Sequence, residues 1–289
     1  MGKVVTVMNM KGGVGKTTVS MNLGGALGHY KWKDKPYRKV LLIDYDPQFN
    51  LSQAFLPSPD YFALEKANKT VLSILQDPAA NLNPYTLQVP GSSQPPSVSS
   101  LAKVIFGKAG QGGLHIVPST LDLMYVALGR ADAQVSIIEE RFKAFIKDAR
   151  KSYDLVIIDC HPAGSLLTKT ALSNSDHVLI PVVPDRYAVR GIGLMLDFIN
   201  SKKLGSHGPQ PHILFNRMPR TGTAAEELAI RTNKKLSAYC LTATMKKYSA
   251  FAEPEEGTGF VWHSSKPYSS EAKRNLTTIA RELTDRMGM

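Results

Sequence analysis

Residues Asn9–Thr18 read NMKGGVGKTT, and these residue types at this spacing suit the handling of phosphate. Gly15-Lys16-Thr17 match the end of the pattern G-x-x-x-x-G-K-[ST]. In that pattern backbone N–H groups wrap phosphate oxygens, the lysine bridges them and the hydroxyl ligates Mg²⁺. The position of its first glycine is held by Met10, with Lys11 directly behind it, so the motif is a variant. Gly12, Gly13, Val14 and Gly15 are the candidate backbone cradle, Lys16, Thr17 and Thr18 the candidate side-chain contacts, and Thr17 the candidate Mg²⁺ ligand. A Gly-rich turn built for shape alone needs neither Lys16 nor the tandem threonines. The spacing differs from G-x-G-x-x-G, which speaks against a dinucleotide fold.

Lys11 needs its own account. A solvated loop lysine is the plain reading, because a second cation at the mouth of the same loop adds little beyond Lys16. It gains a purpose if it reaches the phosphates held by a neighbouring subunit, where a desolvated cation stabilises charge on the transferred group.

Three carboxylates follow strand-like runs. Asp44 and Asp46 lie in LLIDYDPQ (Leu41–Gln48), and Asp159 ends VIID (Val156–Asp159). Any one of them alone reads as a strand terminator or helix cap. Three at strand ends beside a phosphate loop are harder to dismiss, and Asp159 and Asp44 are the candidates for the Mg²⁺ site, Asp44 as a support of the metal or of the loop.

These groups must be positioned by a framework, and the hydrophobic pattern supplies one. Lys3–Met8 reads as a buried strand, the loop follows, and residues from about Lys16 to Leu27 have helical spacing. Further β-branched runs occupy Lys39–Ile43, Leu114–Val117, Asp154–Ile158, His177–Val183 and His212–Phe215. Helical patterns at Ile137–Ala149, Leu166–Leu172 and Gly191–Ile199 lie between them. This alternation predicts an α/β fold: a doubly wound, mostly parallel sheet flanked by helices, of P-loop NTPase type. Ser269–Met287 predicts a closing amphipathic helix. One domain is expected over 1–289. Its interruptions are a basic, aromatic connector at Tyr30–Lys39 and a flexible Pro/Gly/Ser-rich insertion at about 78–113.

Composition narrows the classes. The chain is 43% hydrophobic and 20% charged, and has no apolar run long enough to span a bilayer. The N-terminal residues lead straight into a strand pattern and do not resemble a signal peptide. Cys160 and Cys240 stand far apart without C-x-x-C spacing, which predicts neither disulfides nor a thiolate metal site and fits a reducing cytoplasm. The formal charge of +11 favours a polyanionic partner, nucleic acid being the commonest.

K-G-G-V-G-K-T-T, LLIDYDPQ and VIID together resemble the deviant Walker A ATPases of the ParA/MinD superfamily, and most closely the ParA-type partition ATPases, over nearly the whole chain. The resemblance implies an ATPase with ATP and Mg²⁺ as cofactors, weak alone and stimulated by a ParB-like or other adaptor. It implies a homodimer formed on ATP binding, nucleoid association through non-specific DNA, and the partition or positioning of a plasmid, chromosome or protein cargo.

By the same resemblance Lys11, Lys16 and Asp46 are the catalytic candidates, Asp46 positioning the attacking water, and Asn216 contacts adenine. The Ala252-Glu253-Pro254 portion is similar to the family's A-E-x-P stretch. It places Lys246 and Lys247 near the DNA-contacting positions, with Lys273 and Arg274 opening the final helix; Lys202, Lys203, Lys234 and Lys235 are weaker candidates. No helix-turn-helix pattern precedes the first strand, so binding is expected to be non-specific and salt-dependent.

The chain departs from the family at Cys160-His161-Pro162, where His161 replaces the first of two prolines and leaves the hydrolysis rate open. Two alternatives remain. A MinD-like membrane-associated ATPase needs a free terminal amphipathic helix, whereas the last helix, with Glu271, Glu282 and Asp285, reads as a packing helix and no membrane contact is expected. A metabolic enzyme of related fold would be either a P-loop ligase, which needs no Lys11, or a nitrogenase iron protein, which needs cluster cysteines.

Overall fold

The computed structural model describes residues 1–31, 38–77, 94–107, 112–128, 132–161, 165–201 and 208–289. Seven strands form one sheet in the order β3-β4-β2-β5-β1-β6-β7. They are β1 (Lys3–Val7), β2 (Lys39–Tyr45), β3 (Lys103–Gly107), β4 (Gly113–Val117), β5 (Leu155–Cys160), β6 (His177–Val182) and β7 (Gln210–Phe215). All pairs are parallel except β3 with β4. The inner strands are nearly continuous apolar runs, VVTV in β1, broken by the buried Thr6, and LVII in β5, as burial on both faces demands.

The helices are α1 (Lys16–His29), α2 (Asn50–Phe55), α3 (Ser58–Lys66), α4 (Leu72–Leu75), α5 (Val98–Leu101), α6 (Leu123–Leu128), α7 (Asp132–Ser152), α8 (Leu166–Ser173), α9 (Ala188–Ile199), α10 (Ala225–Thr232) and α11 (Ser269–Arg286). Two apolar clusters occupy the two faces of the sheet. Phe142, Phe145 and Ile146 of α7 join Leu172 of α8, Met195 of α9 and Tyr45 of β2 on one face. Met21, Leu23 and Leu27 of α1 join Leu276, Ile279 and Leu283 of α11 on the other.

Helix α1 is buried almost all round because α11 and the segment before it close over its outer side. Gly25 is where the two surfaces meet: a Cβ there would lie 2.3 Å from a ring carbon of Phe260. The apolar side of α11 is therefore spent on the core. Among the described residues no helix is long and apolar enough to cross a membrane.

The expected strands and helices are present, with ends moved by a few residues. The expected insertion at about 78–113 fares differently. Residues 78–93 and 108–111 lie outside the described residues. The remainder is ordered into α5, whose Val98 and Leu101 are buried, and into the antiparallel edge strand β3. Polar neighbours conceal these short elements in the sequence, since neither is long enough to show a period. The Tyr30–Lys39 connector falls mostly on residues 32–37, outside the described residues.

Candidate functional site

The carboxyl ends of β1, β2, β5, β6 and β7 lie along one edge of the sheet, where open α/β sheets place ligands. The sequence-expected residues follow them: Asn9–Thr18 after β1, Asp44 and Asp46 at the end of β2, Asp159 in β5 and Asn216 after β7. Asp185, in the turn after β6, arrives at the same edge.

The loop is fixed at both ends. The Asn9 side-chain amide donates to the Pro181 carbonyl at 2.8 Å, while its oxygen accepts the Lys11 N–H at 2.9 Å. At the far end Asn216 Nδ2 donates to the Val14 carbonyl at 2.8 Å. Gly13 and Gly15 have φ of 73° and 82°, in the left-handed region that favours glycine. Gly15 is required twice, because a Cβ would also come within 2.5 Å of Asn216 Nδ2. Lys16 is buried and opens α1, a 14-residue helix with no acidic residue in its first turn, so its free N–H groups and dipole favour an anion.

Behind the loop stand the buried carboxylates. Asp44 and Asp159 are register partners on adjacent strands. Asp159 accepts a hydrogen bond from Ser20 Oγ at 2.9 Å and another from the Thr17 side chain. Burial, with Asp46 acting in the same direction, pushes its pKa up to about 6, against the Thr17 and Ser20 hydrogen bonds and Lys16. Asp44 is held well above the usual carboxylate range by burial first and Asp159 second, opposed by Ser52. Its Oδ2 accepts the Ser52 N–H at 2.8 Å and the Ser52 hydroxyl at 2.6 Å. These bonds tie α2 to the end of β2.

The donor set fits Mg²⁺ on chemical grounds. Thr17 Oγ1 and the Asp159 carboxylate are hard oxygens, and a divalent cation beside them would relieve the electrostatic penalty that raises both buried carboxyls.

Asp46 is half-buried at the mouth. Its Oδ1 accepts the Gln48 N–H at 2.9 Å, and its carbonyl accepts the Ser119 hydroxyl at 2.7 Å. The Lys11 side chain is about half exposed and is ion-paired with Asp185. The family resemblance puts Asn216 at adenine, whereas its amide nitrogen here braces the phosphate loop. His161 is half-buried beside Tyr45, its N–H 3.4 Å from that carbonyl, and Pro162 lies outside the described residues.

Four residues of the site carry no signal in the sequence: Ser20, Ser52, Asp185 and Glu255. The last lies 237 positions from its partner, yet Thr18 Oγ1 donates to Glu255 Oε1 at 2.5 Å. Thr17, Asn50, Gln53, Ala54 and Glu255 line a cavity of about 330 Å³ at the loop.

Asn275 ties the segment carrying Lys246 and Lys247 to α11, while Lys273 Nζ lies 5.2 Å from the Tyr30 ring centre. The Asn275 side-chain oxygen accepts the Lys246 N–H at 3.0 Å and its nitrogen donates to the Thr244 carbonyl at 2.8 Å. This holds the Lys246-Lys247 segment against the first turns of α11, where Lys273 and Arg274 are exposed. Arg220 joins them: its carbonyl accepts Lys246 Nζ at 2.8 Å, and its guanidinium stacks 4.0 Å from the Tyr268 ring centre. Lys234 and Lys235 are exposed on the turn after α10. Lys202 and Lys203 lie outside the described residues.

A family model described as "AAA domain" matches residues 2–206. The sporulation initiation inhibitor protein Soj of Bacillus subtilis (strain 168) is 32% identical over 206 residues, 69% of this chain and 65% of that protein. Two solved structures share the fold. The ATP complex of a Cyanothece McdA variant superposes with a TM-score of 0.69 at 19% identity, covering 98% of this chain and 96% of that one. A plasmid partition protein from Borrelia burgdorferi superposes with a TM-score of 0.67 at 20% identity, covering 98% and 100%.

Proposed function

Because the chain belongs to the AAA-domain family, as a P-loop ATPase of the ParA/MinD type, we propose that it is an ATP-driven, DNA-associated positioning protein. In this reading it dimerises on binding ATP, with Mg²⁺ held by Thr17 and Asp159. The dimer binds DNA non-specifically and releases it when a ParB-like or other adaptor stimulates hydrolysis. The cargo class is a plasmid, a chromosome or a protein assembly. A nucleoid-associated location follows from the same reading.

The observation that carries it is the position of Lys11. It stands at the open rim of the loop, outside the buried shell that contains Lys16, with Met10 and Tyr187 exposed around it. A second copy docked on this rim would cover the apolar side chains and bring its own Lys11 toward the facing phosphates. Within one protomer Lys16, Thr17, Thr18 and the Gly12–Gly15 backbone would hold the nucleotide. Asp46 would orient the attacking water, and Asn216 would fix the loop and border the base. A bound Mg²⁺ would supply charge neutralisation at the phosphates.

Lys246, Lys247, Lys273 and Arg274, with Arg220 beside them, are the proposed phosphate contacts for DNA. The membrane alternative is disfavoured by α11, whose apolar side packs on α1. The deciding experiment is sedimentation with a fluorescent duplex of arbitrary sequence at low salt, in ATP and in ADP. Dimers carrying DNA in ATP alone are expected. A monomer in ATP without DNA affinity would overturn the proposal.

A further inference from the structure

At the opposite edge of the sheet, where β1, β2 and β5 begin, a cleft of about 420 Å³ opens to solvent. Its volume lies within the range of roughly 300–1,000 Å³ usual for small-molecule sites. Lys3, Arg38, Arg150 and Lys151 line it, together with Asp154 and Met289.

Arg150 is already paired and Asp154 is held by a backbone donor. Arg150 Nη1 donates to Asp176 at 2.6 Å and to the Gly2 carbonyl at 3.0 Å, and its Nη2 donates to the Asn174 carbonyl at 3.1 Å. Asp154 Oδ2 accepts the Lys39 N–H at 2.7 Å.

Arg38 differs. It is only 5% exposed, and its Nη1 is buried without a hydrogen-bond partner among the described residues. Asp154 and Asp285 act on it through space, yet no ion pair joins Arg38 to either among the described residues. Leaving a guanidinium N–H buried and unmatched costs far more than pairing it. The planar fork of arginine matches phosphate oxygens. Lys3, half-buried, and Lys151, exposed on the rim, add two cations that suit a multiply charged ligand.

We propose that this cleft is a second anion site, separate from the phosphate loop, that takes a small phosphate-bearing molecule with Arg38 as its buried anchor and Lys3 and Lys151 at its mouth. The depth of Arg38 favours a small ligand over a nucleic-acid backbone, which would be held at the rim. The site does not depend on the proposed function, since neither ATP nor DNA takes part in it.

The test uses full-length protein with the phosphate loop saturated by ADP, titrated calorimetrically with pyrophosphate at constant ionic strength. One pyrophosphate per protomer is expected. The rim double variant Lys3→Gln/Lys151→Gln should weaken it by about tenfold or more, and Arg38→Met should abolish it. If Arg38→Met does not fold by circular dichroism, the rim variant decides alone. Lys16→Ala should leave pyrophosphate binding intact. The proposal is overturned if no saturable binding occurs, if the rim variant binds as tightly as the parent, or if Lys16→Ala removes binding. It is likewise overturned if short duplex DNA, but not pyrophosphate, protects Lys3 and Lys151 from acetylation.

Discussion

Lys11 and Asp185, 174 positions apart, form an ion pair within one protomer at the rim of the phosphate loop. The hydrogen bond and charge of Lys11 lower the pKa of Asp185, so that carboxylate is charged at neutral pH. In the proposed dimer the same ammonium faces a partner's phosphates, and Asp185 competes with them for it. Exposed ion pairs contribute little. Asp185→Asn should therefore tighten ATP-dependent dimerisation modestly, by up to about fivefold, as read by sedimentation equilibrium. Weaker dimerisation would mean that Asp185 holds Lys11 in its working position.

The two lysines of the loop should separate cleanly. Lys16→Ala removes a buried cation at the helix start and should reduce ATP affinity by roughly 10- to 150-fold, the range of a lost charged hydrogen bond. Lys11→Ala should bind ATP within a few-fold of the parent and fail to dimerise. Filter binding together with sedimentation distinguishes them, and equal loss of ATP affinity in both would refute the division of roles.

Gly15→Ala tests the brace between the loop and Asn216. The left-handed backbone costs about 1–2 kcal/mol for any other residue, and the new methyl would meet Asn216 Nδ2 at 2.5 Å. Thermal melting should show a lower Tm than the parent together with impaired nucleotide binding. Asn216→Ala should affect binding more than stability, and in the double variant Gly15→Ala should add its backbone cost without the clash.

His177 and His212 form a buried pair, Nδ1 to Nε2 at 3.1 Å, whose outer ring nitrogens lack partners among the described residues. Burial chiefly, then the neighbouring His177, lowers the pKa of His212 to about 4, and burial lowers that of His177 as well. An unfolded chain would protonate both near about 6.5. Above that value the folded and unfolded states bind equal numbers of protons at these sites. As pH falls from about 6.5 toward 4 the unfolded state binds more, so stability should decline across that window. Melting temperatures measured between neutral pH and mild acid should fall more steeply for the parent than for His212→Gln. Identical slopes would contradict the buried, neutral pair.

For the basic face, Lys247→Gln and Arg274→Gln should each weaken binding to duplexes of unrelated sequence by the same factor. Each should lower the slope of log affinity against log salt by about one. A sequence-dependent effect would argue for base contacts instead.

The parts of this molecule legible in the sequence are those carried by short-range pattern. The phosphate loop announces itself through glycine positions and two lysines, and β1, β2 and β5 through nearly continuous apolar runs. Contacts between distant segments leave no such trace. Glu255 reaches Thr18 only because Phe260 packs over Gly25 and lays the C-terminal segment along α1. Asp185 meets Lys11 because β6 lies beside β1. Asp44 is recognisable as a strand-end carboxylate, but its grip on Ser52 depends on where α2 begins. Strand β3 stays concealed because it is an edge strand with Lys103 and Val104 exposed, so it shows no buried alternation.

The packing of α1 under the C-terminal segment has a mechanical consequence. Asn22 Nδ2 donates to the Phe251 carbonyl at 2.9 Å, one turn beyond the contact between Thr18 and Glu255. The helix that begins at Lys16 is thus stitched at two successive turns to the strip of chain leading from Lys246 and Lys247. A movement of that helix at its first turn would therefore pull on the same strip of chain that carries the two lysines.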